Sequence, residues 1–174
     1  MIMVAAGALL AAAVSSCSTQ GAIGPFGHPT EPGEQCIPLA GANVVTDGLE
    51  AVQNHASTTA VIDKLALVRP KHLLLDRAWV VPTDHQLLGA THGYPPPHYQ
   101  VTGWHWDRRQ PADGATVPPL SSGKYFRMNI LVVVRLPPRV TRGSTPGIEI
   151  WYHVGDSHYY LRFETALVAA QHRC

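Results

Sequence analysis

The pattern of apolar and polar positions along the chain predicts an all-β protein. β-branched and aromatic runs recur at short intervals, and clusters of glycine and proline separate them, as turns separate the strands of a sheet. No stretch of a dozen residues keeps a helical period without a glycine or proline, so we expect little helix. The runs span residues 43–54, 58–68, 72–81, 98–104, 127–136, 147–154 and 157–170. About seven short antiparallel strands of this kind predict a β-sandwich, with a barrel as the competing fold.

The segment GIEIWYHVGDSHYYLRFE, residues 147–164, predicts a hairpin whose register can be worked out. Gly155 and Asp156 form a two-residue turn, in which glycine supplies the backbone angle that such turns require. We therefore set Val154 opposite Ser157. This register collects six apolar side chains on one face, which we expect to lie in the core: Ile148, Ile150, Tyr152, Tyr159, Leu161 and Phe163.

The opposite face of the hairpin supports the same register. It pairs Glu149 with Arg162, which carry opposite charges. It also pairs an indole with a phenol ring and one imidazole with another. A slip of one residue would destroy all of these pairs and would turn the apolar set toward solvent. The two uncharged pairs are Trp151 with Tyr160 and His153 with His158.

These four side chains form a candidate binding face with two open interpretations. Aromatic residues are favoured at binding surfaces, so the face could receive a sugar, a peptide or a partner protein. Alternatively, the Pro-rich connections at residues 82–97 and 105–124 cover it, which is the simpler interpretation. The face consists of Trp151, His153, His158 and Tyr160.

Ten histidines in a chain with few charges raise the question of a metal site. His153 and His158 are weak candidates, because we expect no third ligand beside them: their neighbours in this register are aromatic residues and a turn serine. Four histidines in the loop-rich middle match no zinc spacing: His85, His92, His98 and His105. We therefore expect no metal and no cofactor, and we keep histidine-based copper or zinc handling as the alternative function.

Composition and motifs argue against two further classes of function. Charged residues make up 14% of the chain and the net charge is +1, so no basic stripe indicates a nucleic-acid partner. Ser121 and Lys124 formally match the motif of penicillin-binding enzymes, but the companion motifs are absent. The Gly-Asp-Ser sequence at residues 155–157 belongs to the hairpin turn rather than to an esterase site. We expect no catalytic residues.

The N-terminal sixteen residues are apolar and uncharged, which is typical of a secretory signal segment. They are fewer than the roughly 20 residues that a membrane-spanning helix needs. The sequence Val-Ser-Ser-Cys that ends at Cys17 resembles the lipobox of bacterial lipoproteins, and this resemblance implies that Cys17 is lipidated. Residues 17–35 are rich in Gly, Pro, Ser and Thr, so we expect a flexible tether there and a β-sandwich domain at residues 36–174.

Two cysteines are left if Cys17 carries lipid, and disulfides persist outside the cytoplasm. Cys36 and Cys174 stand at the two ends of the expected domain. We therefore expect them to form one disulfide bond that joins these ends.

The layout as a whole resembles small bacterial cell-envelope lipoproteins with an immunoglobulin-like sandwich. The resemblance rests on the lipobox, the two terminal cysteines, the Pro-rich middle and residues 44–54 and 147–161. It implies a membrane contact through an N-terminal lipid and an extracytoplasmic location, but no activity, because unrelated functions share sandwich folds. We expect a binding or interaction protein without catalytic activity, whose partner is another envelope protein or a small-molecule ligand. A structural accessory subunit is a further alternative.

Overall fold

The structure is a computed structural model that describes residues 24–27, 31–84, 86–97, 103–123 and 127–174. These residues contain twelve strands and two short 3₁₀ helices, at Trp106–Arg108 and Leu120–Ser122. The strands are β1 (Gly33–Pro38), β2 (Val44–Val52), β3 (Ala60–Leu67), β4 (Leu74–Thr83), β5 (Gly89–His92), β6 (Gln110–Pro111), β7 (Thr116–Val117), β8 (Arg127–Arg135), β9 (Arg142–Thr145), β10 (Ile148–Val154), β11 (Ser157–Phe163) and β12 (Thr165–Ala170). The all-β prediction is confirmed.

The described strands form three sheets in a sandwich-like arrangement. Their strand orders are β1-β12-β9, β11-β10-β3-β7 and β5-β2-β8-β4-β6. The pairings are antiparallel except for β1 with β12, which run parallel. A main core cluster takes apolar side chains from all three sheets. The sandwich is thus confirmed, whereas its immunoglobulin-like type stays a prediction.

The strands outnumber the seven apolar runs for two physical reasons. Several strands are only two to four residues long, too short to show an alternating pattern. The run at residues 157–170 also divides at Glu164 into β11 and β12, which belong to different sheets. Residues 98–102 of another run lie outside the described part of the chain.

The hairpin register is confirmed at every pair of β10 and β11. Val154 pairs with Ser157, and the pairing continues to Ile148 opposite Phe163. Five of the six expected core residues are buried and Tyr159 is half-buried. Gly155 has a φ of 57° in the turn, the left-handed region in which glycine avoids the clash of a side chain.

The expected disulfide is present and joins the two ends of the domain. Cys36 and Cys174 are bonded, with their Cα atoms 5.7 Å apart. Cys36 lies in β1, whose parallel partner β12 ends four residues before Cys174. The disulfide therefore lies beside the parallel pair of β1 and β12 in the three-stranded sheet.

The predicted tether is wrong at its C-terminal end, because part of it belongs to the folded domain. β1 begins at Gly33, and its first three residues already pair with β12. Further upstream, Phe26 is buried and its ring stacks on Tyr152 with centroids 3.9 Å apart. The backbone N–H of Phe26 donates a hydrogen bond to the hydroxyl of Tyr152. The composition of this segment, in which glycine and proline dominate, indicated a linker. A single buried aromatic residue is nevertheless enough to hold the segment against the folded domain.

We expect Phe26→Ala to lower the free energy of unfolding by about 3 kcal/mol, since truncation of a buried phenylalanine removes apolar contacts and leaves a cavity. Urea unfolding of the full chain in detergent measures the change. The control is Pro32→Ala, a substitution at an exposed residue between Phe26 and β1. An equally small effect of both substitutions would mean that residues 24–27 contribute nothing to the fold.

Candidate functional site

The candidate site lies on the solvent side of the sheet formed by β11, β10 and β3. β10 is the central strand of these three, with β11 on one side and β3 on the other. Alternation along each strand sends the core residues inward and the others outward. We call the resulting surface the outward face; it consists of Asp63, Lys64, Glu149, Trp151, His153, His158, Tyr160 and Arg162.

The outward face is accessible, and the interpretation that loops cover it is wrong for the loop residues that the structure describes. Tyr160 is 40% exposed, and the side chain of His158 is 75% exposed. The middle loops pack elsewhere: Trp104 and Leu88 lie against Val81 and Leu131, on the far side of the five-stranded sheet from the main core. The loops bury apolar side chains against the strand residues Val81 and Leu131, whereas the outward face consists of charged and aromatic groups.

A β-bulge in β3 determines which side chains join the outward face. Trp151 of β10 pairs with Lys64, and the next residue, Tyr152, pairs with Ile62. Asp63 is therefore the extra residue of the bulge. Asp63 and Lys64 are consecutive, yet both are exposed, between Ile62 and Leu65, which are both buried. The bulge thus adds a carboxylate and an ammonium group beside the two hairpin strands.

One half of the outward face combines aromatic rings with charge. The rings of Trp151 and Tyr160 lie 5.6 Å apart, centroid to centroid. The ammonium group of Lys64 lies 5.0 Å from the centroid of the Trp151 ring, which is a cation–π contact. The Tyr160 hydroxyl donates a hydrogen bond of 3.1 Å to Glu149. Partial burial, followed by this bond to the carboxylate, raises the pKa of Tyr160, so the phenol stays protonated and can donate.

The other half of the outward face brings three potential metal ligands together. Nδ1 of His153 lies 2.7 Å from Oδ1 of Asp63, and Nδ1 of His158 lies 3.6 Å from Oδ2 of the same carboxylate. The two imidazole rings are 5.5 Å apart, centroid to centroid. One ligand atom from each residue lies within 4.8 Å of the other two. Asp63 therefore stands between the two imidazoles as a shared partner.

Asp63 is a candidate ligand that the sequence did not reveal. The expectation of no third ligand considered only β10 and β11, whereas Asp63 comes from β3, more than eighty positions earlier in the chain. A signal was present in the run AVIDKLAL, where two consecutive polar residues interrupt the alternation. Such an interruption indicates a bulge, but it does not identify the neighbouring strand.

The other residues considered from sequence do not form a site in the described part of the chain. His92 is exposed on β5, and His105 lies 3.4 Å from the carboxylate of Asp84, away from the outward face. Ser121 lies in a 3₁₀ helix. Several predictions fall outside the described residues: lipidation of Cys17, the signal segment at residues 1–16, and any role of His85, His98 or Lys124.

A cavity of about 400 Å³ lies away from the outward face, against the three-stranded sheet. Apolar residues of β12 line it together with the charged residues Glu34, Arg69 and Lys71. Its charged groups are of both signs and exposed, so the cavity shows no preference for a particular ligand charge.

Comparison of the chain with protein-family models, with curated proteins and with solved structures found no match. Among the described residues, no helix has the length and apolar character needed to cross a membrane. The geometry of the outward face is therefore the basis for inferring a function.

Proposed function

We propose that this protein is a lipid-anchored, extracytoplasmic binding protein that acts without catalysing a reaction. Its partner is another cell-envelope protein or a small-molecule ligand. The observation that supports a binding role is the accessible outward face, where Trp151 and Tyr160 stand beside the charges of Lys64 and Glu149. Aromatic rings next to polar groups provide large contact area together with directional hydrogen bonds.

Two features support the proposed location. The lipobox-like sequence that ends at Cys17 is typical of proteins anchored by an N-terminal lipid. The bond between Cys36 and Cys174 is of a kind that persists in oxidising compartments outside the cytoplasm. A tether and a lipid at the N-terminal end would hold the domain near the membrane and leave the outward face available to a neighbour.

We expect a photoreactive benzoylphenylalanine at position 160 to form a crosslink when the full chain is irradiated in intact bacterial cells. Tyr160 is 40% exposed, and an aromatic analogue keeps the character of its ring. Mass spectrometry identifies the product as a protein adduct or a small-molecule adduct. The control carries the same group at position 107, whose aspartate side chain is 81% exposed in a 3₁₀ helix outside the outward face.

The Cys17→Ala variant tests the anchor in the same cells. We expect the wild-type protein in the membrane fraction with an acylated Cys17 at its N-terminus, and the variant without acyl mass and without the adduct. Equal crosslinking at positions 160 and 107, or none at either, would contradict the binding role. An unmodified N-terminus in the wild type would contradict only the anchor.

Metal handling by histidines is the second candidate function, and a single observation favours it. Asp63 provides the third ligand next to His153 and His158 that the hairpin alone lacks. Three-ligand sites of imidazole and carboxylate groups are common for zinc.

A further inference from the structure

We propose that Asp63, His153 and His158 bind one divalent ion of the zinc and copper class, with a coordination position left open to solvent or to a ligand. The inference rests on the second candidate function and is independent of the partner proposed for Trp151 and Tyr160. It specifies the ligands, the class of ion and the open position.

The distances between the three side chains are close to those of a loaded site. Bonds of about 2.0–2.2 Å to a tetrahedral ion place neighbouring ligand atoms roughly 3.3 Å apart. Here Nδ1 of His153 lies 2.7 Å from Oδ1 of Asp63, and Nδ1 of His158 lies 3.6 Å from Oδ2, so each imidazole is near this value from one oxygen of the carboxylate. One ligand atom from each residue lies within 4.8 Å of the other two, so side-chain rotations have to shorten the remaining separations when an ion binds.

Strand pairing and packing on the inner side of the sheet hold the backbone of the three ligands. His153 and His158 form a directly opposed pair on adjacent strands, and Asp63 is held by the bulge of the third strand. The neighbours of these residues on the inner side are Ile62 and Tyr152, which are 0% and 1% exposed. Packing of the inner face therefore restricts the outer positions, which reduces the entropy lost when an ion binds.

The donor set selects a class of ion. Two imidazole nitrogens and one carboxylate oxygen suit zinc and copper, whereas calcium and magnesium prefer sites made only of oxygen. The order of stability for divalent ions predicts tighter binding of Cu²⁺ than of Zn²⁺ at the same ligands. The negative charge of Asp63 partly neutralises the positive charge of the ion.

The open coordination position is inferred from the exposure of the three ligand side chains. The side chain of His158 is 75% exposed, and those of Asp63 and His153 are 36% and 30% exposed, so a bound ion would face solvent on one side. A fourth ligand would then be water or a donor atom of a molecule that rests on the outward face. This arrangement is that of zinc sites that bind a further ligand rather than of closed structural sites.

The test is calorimetric titration of the full chain, purified in detergent, with Zn²⁺ and Cu²⁺, and with Mg²⁺ for comparison. We expect one Zn²⁺ and one Cu²⁺ per chain and no heat from Mg²⁺. The double variant His153→Ala, His158→Ala should weaken binding of both ions by about 100-fold or more, and Asp63→Asn by roughly 10-fold or more. The matched control is His72→Ala, His92→Ala, which removes two exposed histidines elsewhere and should bind like the wild type.

Electron paramagnetic resonance of the Cu²⁺-loaded wild type gives a second readout that needs no variant. We expect hyperfine splitting from two imidazole nitrogens. No binding of Zn²⁺ or Cu²⁺, or binding that survives loss of both histidines, overturns the site. Neither result would affect crosslinking at position 160, so failure of this site and failure of the proposed binding role are distinguishable.

Discussion

Replacement of Cys36 and Cys174 by serine is expected to lower the free energy of unfolding by about 5 kcal/mol. The bond closes a loop of 138 residues, and on the chain-entropy model such a constraint removes conformational entropy from the unfolded ensemble and raises its free energy by about this amount. The Cα atoms lie 5.7 Å apart, within the usual range for a disulfide. The loss is comparable to the whole stability of a small domain.

Urea unfolding of the double variant and the wild type, both as full chains in detergent, measures this loss. Cys17→Ser is the matched control, because it removes a cysteine without removing the bond. The wild type treated with a thiol reductant should behave like the double variant. If the double variant unfolds at the same urea concentration as the wild type, the bond has no part in the stability of the domain.

The second large effect is a gain of about 4 kcal/mol in stability at pH 8 on Asp47→Asn. Asp47 is 7% exposed in β2, and burial raises the pKa of its carboxyl from the ordinary 3.8 to about 7. A hydrogen bond from the backbone of Leu49 opposes the rise, and the nearby charge of Glu50 adds to it. The pKa rises by about three units, and each unit corresponds to roughly 1.4 kcal/mol, which gives a gain in stability of about 4 kcal/mol.

The sign of the pH dependence follows from proton binding. Between about pH 4 and pH 7 the folded protein holds a proton on Asp47 that the unfolded chain has released, so the free energy of unfolding falls as pH rises through this window. The loss is complete above pH 7. The asparagine variant stays neutral throughout, and its side-chain oxygen can still accept the hydrogen bond from Leu49.

Unfolding in urea at several pH values between 4 and 8 provides the measurement. The difference between variant and wild type cancels the contribution of the other titrating groups, and we expect it to grow by about 4 kcal/mol across this range. Asp107→Asn, at an aspartate whose side chain is 81% exposed, is the control and should show no such growth. A pH-independent difference would mean that the Asp47 carboxyl titrates normally.

Local pattern was sufficient for the hairpin of β10 and β11. Its turn has two residues, its strands alternate strictly, and both faces contain matched pairs. Any other register would therefore both expose the apolar set and break the pairs on the opposite face. Every predicted pair from Val154 with Ser157 to Ile148 with Phe163 is present. The disulfide was predictable for a different reason, since two cysteines at the ends of a domain leave a single pairing once Cys17 is assigned to lipid.

The sequence by itself thus determined the all-β class and the hairpin register, because each depends on residues that are neighbours along the chain. It determined the disulfide only together with the assignment of Cys17 to lipid, which leaves one pairing. Only the tertiary structure decided that Phe26 packs on Tyr152, that the middle loops lie against the five-stranded sheet, and that Asp63 joins His153 and His158. These contacts depend on which strand lies beside β10 and on which face the loops cover. Alternation within a strand states which residues point the same way, but not which distant segment they meet.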